Sequence, residues 1–249
     1  MIYIALILAS HNNKIMSSSH TVNDITQTGL SPEQKSTLPN FIAVEGAIGA
    51  GKTTLAKRLA ETFNYDTLLE KAEENPFLER FYQDRLSNAL PTQLFFLFQR
   101  AQQIQELRQS DIFQPVRVSD FLIDKDPLFA EVTLDKDELA IYQQVYNQLT
   151  IDAPKPDLVV YLQAPVNTLL HRIKTRGVNA EQTIDNSYLE TINEAYTRFF
   201  HFYDQSPLLI VNANEIDWVN NDESYNKLVE YILSIKQGRH YFNPTSTLL

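Results

Sequence analysis

The sequence predicts a three-layer α/β fold, a mostly parallel β-sheet covered by helices on both faces. Three observations carry that expectation. Short apolar, β-branched segments alternate with segments whose apolar residues recur every three or four positions, and a chain built this way returns over its sheet through helical crossovers that leave the strands parallel. "DLVVYL" (Asp157 to Leu162) is a continuous apolar run of the kind that suits a strand buried on both faces. A glycine-rich stretch, "GAIGAGKTTL" (Gly46 to Leu55), stands between the first apolar run of this pattern and the first helical one.

Taken in order, "FIAV" (Phe41 to Val44) reads as the first strand, closed by Glu45-Gly46. "KTTLAKRLAETF" follows with Leu55, Leu59 and Phe63 at helical spacing. "YDTLL" (Tyr65 to Leu69) is a second strand ending at Glu70, and "NPFLERFY" opens a helix with Asn75 as N-cap and Pro76 at its first position. A long helix is expected from Thr92 through Leu107, since Leu94, Leu97, Phe98, Ala101, Ile104 and Leu107 repeat at three or four. "PVRVS" (Pro115 to Ser119) is a third strand with Asp120 at its carboxyl end. Helical periodicity returns from Asp137 to Leu149 and is broken by Pro154 and Pro156 before the "DLVVYL" strand. A helix "VNTLLHRIKTR", a polar turn around Gly177, a helix from Asn186 to Phe202, a strand "LLIVNA" and a last helix from Glu223 to Ile235 complete the pattern.

A chain of 249 residues, 43% hydrophobic and 21% charged, can bury a substantial core, and we expect one domain over residues 39–249. The net charge of −10 argues against a nucleic-acid polymer or an anionic membrane as partner, because either would call for a basic face. Zero cysteines exclude disulfides, thiolate metal sites and cysteine nucleophiles, and accord with a cytoplasmic location. The apolar "IYIALILA" near the start has no Lys or Arg before it and is too short to span a bilayer. The polar stretch from His11 to Pro39 shows no sustained periodicity, so residues 1–38 are expected to be a flexible leader with no catalytic role.

The glycine-rich stretch matches a phosphate-binding loop in every part. Gly46, Gly49 and Gly51 let the backbone curl so that successive N–H groups face phosphate oxygens, Lys52 supplies a mobile charge, and the Thr53 hydroxyl, followed by Thr54, can ligate Mg²⁺. Such a loop does not distinguish a kinase from a GTPase, a transporter ATPase or a helicase. Small size and acidity weigh against a helicase, and no Asn-Lys-x-Asp run is present to read guanine in the GTPase manner. In a parallel sheet, ligands bind outside the carboxyl ends of the strands, which singles out Glu70 and Asp120. A hydroxyl acceptor needs a carboxylate to orient it or take its proton, and a second acid often helps hold Mg²⁺.

Beyond the loop, the chain from Phe41 to Ile235 resembles the deoxynucleoside kinase family, in particular its bacterial deoxyguanosine and deoxyadenosine kinase branch. "LLEKAEENPFLERFY" resembles the family segment whose strand-end glutamate acts as base toward the sugar 5′-hydroxyl, which implies that role for Glu70 and a sugar 3′-hydroxyl contact for Tyr82. "PTQLFFLFQR" resembles the helix that carries a base-reading glutamine, Gln93, and an arginine, Arg100, that pairs with an aspartate at Asp126. That pair implies a purine or cytidine base where thymidine-accepting relatives have small or apolar residues. "HRIKTRGVNAEQ" resembles the lid over the ATP phosphates, with Arg172 and Arg176 one helical turn apart and Glu181 reaching the sugar. The resemblance thus implies a P-loop NTPase-type three-layer fold with an arginine lid, ATP as donor, Mg²⁺ bound with help from Thr53 and Asp120, and a homodimer with the long helix from Thr92 as its contact.

Two departures stand out. Asp120 is followed by Phe121-Leu122 where many members have Arg-Ser, leaving Lys125 or Arg100 to supply the missing charge, and Val178 stands where some relatives have a third lid arginine. The expected reaction is phosphorylation of the 5′-hydroxyl of a deoxynucleoside, a purine one, in nucleotide salvage. Two rivals remain from the residues alone: a nucleoside monophosphate kinase or other small-molecule kinase, for which Arg80 and Arg85 leave room, and a nucleotide-binding regulator without catalysis.

Overall fold

In the computed structural model, which describes residues 38–110, 117–149 and 153–243, β1 (Phe41–Gly46) is the centre of the molecule. Its residues Ile42, Ala43 and Val44 are fully buried, as a strand with helices on both faces requires. β1 pairs in parallel with β3 (Arg117–Ser119) on one side and with β4 (Leu158–Gln163) on the other, in registers that place Ile42 opposite Val118 and Val44 opposite Val160. β2 (Asp66–Leu68) lies outside β3, and β5 (Leu208–Asn212) then β6 (Arg239–Phe242) lie outside β4, giving six parallel strands in the order β2-β3-β1-β4-β5-β6. The chain therefore leaves β1 toward one edge and later returns across it to the other. That change of direction opens a crevice at the carboxyl ends of β1 and β3.

The helices are α1 (Lys52–Phe63), α2 (Leu78–Gln83), α3 (Arg85–Ser110), α4 (Asp126–Thr133), α5 (Lys136–Leu149), α6 (Val166–Arg176), α7 (Asn186–Phe202) and α8 (Asp222–Ser234). Their ends follow local chemistry. Asn64 (φ 58°) and Gly177 (φ 70°) close α1 and α6 in the left-handed region, while the Asp185 and Asn221 side chains accept the Tyr188 and Ser224 amides at the starts of α7 and α8. A main core packs α1, α7 and α8 against the sheet, and a smaller cluster of Leu97, Ala130 and Tyr142 joins α3, α4 and α5. Among the described residues no helix is long and apolar enough to cross a membrane.

Several expectations are corrected. The second helix does not begin at Pro76 under an Asn75 cap: Asn75 Oδ1 accepts from Phe77 N at 3.0 Å and its Nδ2 donates to the Thr92 carbonyl at 3.2 Å, so Asn75 is a buried turn tied to α3 and the helix starts at Leu78. The long helix begins at Arg85, not Thr92, and runs through Pro91. Proline forfeits one backbone bond there, but buried Ala89 and Leu97 on either side hold the helix continuous. β3 starts at Arg117; Pro115, Val116 and the expected leader, apart from Leu38, lie outside the described residues. Helix α4 and the edge strand β6 had no counterpart in the sequence reading, being too short to show a period.

Candidate active site

The loop after β1 owes its shape to two left-handed glycines. Gly49 (φ 85°) and Gly51 (φ 97°) leave no room for a side chain, since a Cβ on Gly49 would lie 2.7 Å from the Leu169 carbonyl oxygen and one on Gly51 2.9 Å from the Trp218 ring. Lys52 Nζ folds back to donate to the carbonyls of Gly46 at 2.9 Å and Ala47 at 3.5 Å. Thr53 Oγ1 donates to Asp120 Oδ2 at 2.5 Å, bridging the loop to the end of β3. These two groups offer adjacent oxygen donors, which suits a hard divalent cation whose remaining ligands are phosphate and water. Among the described residues no group of three His, Asp or Glu side chains is arranged to hold an ion by itself. Thr54, one residue on, is exposed and borders a second cleft with Lys57, Arg58 and Trp218.

Past the ends of β2 and β3, the two acids meet. The Glu70 amide donates to Asp120 Oδ1 at 2.7 Å, and Gln103 Nε2 donates to the Leu69 carbonyl at 2.8 Å, so the end of β2 is held from two sides. Burial raises the pKa of Asp120 against its bonds to Thr53 and the Glu70 amide. Burial also pushes Glu70 up, but the Arg100, Lys125 and Lys52 charges outweigh it and hold the carboxyl below its ordinary range. Arg100 is ion-paired with both Glu70 and Asp126. Asp126 in turn accepts from the Tyr142 hydroxyl at 2.7 Å. One buried guanidinium therefore joins β2, α3 and α4.

A cavity of about 1130 Å³ opens over this group and runs from Lys52 and Thr53 past Glu70 to Tyr82, Gln93 and Arg100. Gln93 Nε2 donates to Thr133 Oγ1 at 3.3 Å, and because the Thr133 proton goes to the Phe129 carbonyl at 2.6 Å, Thr133 can only accept from Gln93. This fixes the amide so that its oxygen is left for a ligand. Burial, with Tyr188, Glu181 and Glu70 nearby, keeps the Tyr82 hydroxyl protonated, well above its ordinary range. Asp126 is 1% exposed and lies behind Arg100, outside the cavity lining.

The two lid arginines separate. Arg176 lines the cavity and is ion-paired with Glu181, whereas Arg172 donates to the carbonyls of Ala50 at 3.2 Å and Ala213 at 2.7 Å and is not part of the lining. Helical spacing set both on one side of α6. The packing of α6 on the loop then claimed one of them.

Two charged residues of the site escaped the sequence reading in whole or part. Glu45 is fully buried at the end of β1, accepting from the amides of Leu122 (2.7 Å) and Gly46 (3.1 Å) and from the Tyr196 hydroxyl (3.0 Å). Its signal was available, a carboxylate in line with a buried strand. Lys125, 2% exposed, has its Nζ 3.4 Å from Glu45 Oε1 and lines the cavity. Burial pushes its pKa down to about 8, with Glu45 and Glu70 opposing and Arg100 and Lys52 adding to the fall. Tyr188 and Tyr196 of α7 also line the cavity, and nothing in their helical spacing distinguishes them from core residues.

Comparison with known proteins bears on this arrangement. The family model for deoxynucleoside kinase matches residues 42–235. The chain is 37% identical over 200 residues to a deoxyguanosine kinase of Bacillus subtilis (strain 168), covering 77% of this chain and 95% of that one. It is 30% identical over 205 residues to a deoxyadenosine kinase of Lactobacillus acidophilus, covering 77% of this chain and 94% of that one. A solved structure of deoxyadenosine kinase from M. mycoides with bound dCTP superposes with a TM-score of 0.67 at 28% identity, covering 78% of this chain and all of that one.

Proposed function

The chain belongs to the deoxynucleoside kinase family, and from that premise we propose that it transfers the γ-phosphoryl group of ATP, with Mg²⁺, to the 5′-hydroxyl of a purine deoxynucleoside. The observation that carries the reading is Arg100, buried between Glu70 and Asp126 in the same cavity as the phosphate loop. It ties the group that would read a base to the group that would meet the reacting hydroxyl.

ATP supplies the phosphoryl group and Mg²⁺ spreads its charge; the rest falls to this chain's side chains. The loop amides and Lys52 would hold the outer phosphates, and Thr53 and Asp120 would hold the ion through oxygen. Glu70, kept ionised by its cationic neighbours, would accept the hydrogen bond of the 5′-hydroxyl and take its proton as the bond to phosphorus forms. Arg100 donors match the O6 and N7 acceptors of a guanine edge, and the fixed Gln93 amide offers an acceptor to a base N–H. Tyr82 and Glu181 would meet the sugar 3′-hydroxyl. Arg176 would give up Glu181 for the transferring phosphoryl, while Arg172 holds the Ala50 end of the loop in place.

The rival substrate, a nucleoside monophosphate, would need a free cationic cluster. Neither Arg80 nor Arg85 lines the cavity, and Arg85 is ion-paired with Asp185 and lies over the Tyr188 ring, so they form no such cluster there. A homodimer fits the exposed apolar side chains Leu86 and Phe98 of α3 and Ile141 of the neighbouring α5. Absence of cysteine accords with a reducing compartment such as the cytoplasm. ADP release measured over deoxynucleosides, ribonucleosides and monophosphates tests the proposal: purine deoxynucleosides should give 5′-monophosphates, and turnover of monophosphates alone, or of nothing, would overturn it.

A further inference from the structure

Lys125 is a buried ammonium with too few partners. Among the described residues its polar partner within ion-pair distance is Glu45, at 3.4 Å, and that carboxylate already accepts from Leu122 N, Gly46 N and the Tyr196 hydroxyl. The centroids of the Phe129 and Tyr196 rings lie 4.8 and 5.7 Å from Nζ and flank it. An ammonium carries three N–H donors, this one meets a single carboxylate at ion-pair distance, and the side chain lines the cavity with Glu70. The neighbouring cations each reach two protein groups, Arg100 two carboxylates and Lys52 two carbonyls, where Lys125 reaches one. Phe121 and Leu122, the first residues past Asp120, are buried and apolar and bring no charge.

We propose that Lys125 is a catalytic residue, whose spare donors bind the oxygens of the phosphoryl group in flight next to Glu70, with Glu45 as the anchor that aims it. This rests on the kinase reading above. In the step, the 5′-oxygen forms a bond to the γ-phosphorus, its proton passes to the Glu70 carboxylate, and the bridging bond to the β-phosphate breaks with its electron pair leaving on ADP. Negative charge gathers on the equatorial oxygens, where a fixed, desolvated donor acts most strongly. Glu45 serves as a positioning residue, since it touches Lys125 and not the substrate.

The test is steady-state kinetics of the full chain on its best deoxynucleoside, with folding followed by thermal melting. Lys125→Met should lower kcat about a hundredfold or more, the loss typical of a deleted transition-state donor, with the deoxynucleoside KM changed less than threefold. Lys125→Arg, which keeps the charge, should recover to within tenfold of the parent. Because Lys125→Met leaves Glu45 unpaired and could unfold, the double variant Glu45→Gln/Lys125→Met removes both charges and should show the same kcat loss in a folded protein. A folded Met variant with kcat within threefold of the parent, a rise in KM at unchanged kcat, or an Arg variant no better than Met would each overturn the role of Lys125 while leaving the kinase reading intact. A parent chain that turns over no deoxynucleoside would overturn both.

Discussion

Arg100→Met keeps the unbranched stem of the side chain and removes the guanidinium that a buried Asp126 and a partly exposed Glu70 share. Arg100 is 4% exposed and Asp126 1% exposed, so neither loss can be made good by water. Removing one partner of a buried ion pair costs about 3–5 kcal/mol, because an uncompensated charge is left behind. Here Asp126 retains the Tyr142 hydroxyl at 2.7 Å, and Glu70 retains the fields of Lys125 and Lys52, which places the expected loss at about 3–4 kcal/mol. With a urea dependence of about 2 kcal/mol per molar, the unfolding midpoint should fall by about 1.5–2 M. Trp218, the chain's single tryptophan and a buried one, gives a fluorescence signal to follow the transition. Arg85→Met, which breaks the half-exposed pair with Asp185, is the control and should cost no more than about 1 kcal/mol. A midpoint shift below about 0.5 M for Arg100→Met, in the range of that control, would refute the claim that the Arg100–Asp126 pair is shielded from water. The same variant takes from Glu70 its strongest lowering charge, so the acid limb of kcat/KM should move to higher pH.

Glu70→Gln should lower kcat by about 10²–10⁴ in steady-state assays with purine deoxynucleosides, the span of a general base; near-parent turnover would remove Glu70 from that role. Gly49→Ala, which places a Cβ 2.7 Å from the Leu169 carbonyl on a backbone of φ 85°, should abolish ATP binding by calorimetry while the fold persists by circular dichroism. Asp185→Ala removes the cap of α7 and should cost about 1 kcal/mol at neutral pH. The Asp185 pKa is held down to about 2 by the Arg85, Tyr188 and Ser187 hydrogen bonds. A carboxyl depressed on folding stabilises the protein above its unfolded pKa, so the difference between parent and variant should be full above about pH 4 and fade as pH falls toward 2.

How far the site could be read from the sequence varied with the reach of each interaction. The phosphate loop was legible because all its parts lie within eight consecutive residues, and the strand-loop-helix around it appears as expected. The pairing of Arg100 with Asp126 came from resemblance, and spacing alone would not have found it, since the partners sit on α3 and α4 and α4 is too short to announce itself. Asn75 shows local chemistry overridden: its side chain prefers a helix cap in isolation, but here it satisfies a buried carbonyl of α3. Pro91 shows the converse, a strong local stop signal overcome by packing on both sides.

By itself the sequence determined the fold class, the order of all strands and helices but α4 and β6, and the place of the glycine-rich loop, because apolar period and glycine conformation act through neighbours along the chain. Only the tertiary structure decided how the site's charges are shared beyond the Arg100–Asp126 pair. It set Glu70 and Asp126 on one guanidinium, sent Arg172 to the loop carbonyls while leaving Arg176 in the cavity, and buried Glu45 under Lys125. Coulomb energies in a dry interior depend on separations in space and on access to water, and both are settled by how the sheet and helices pack.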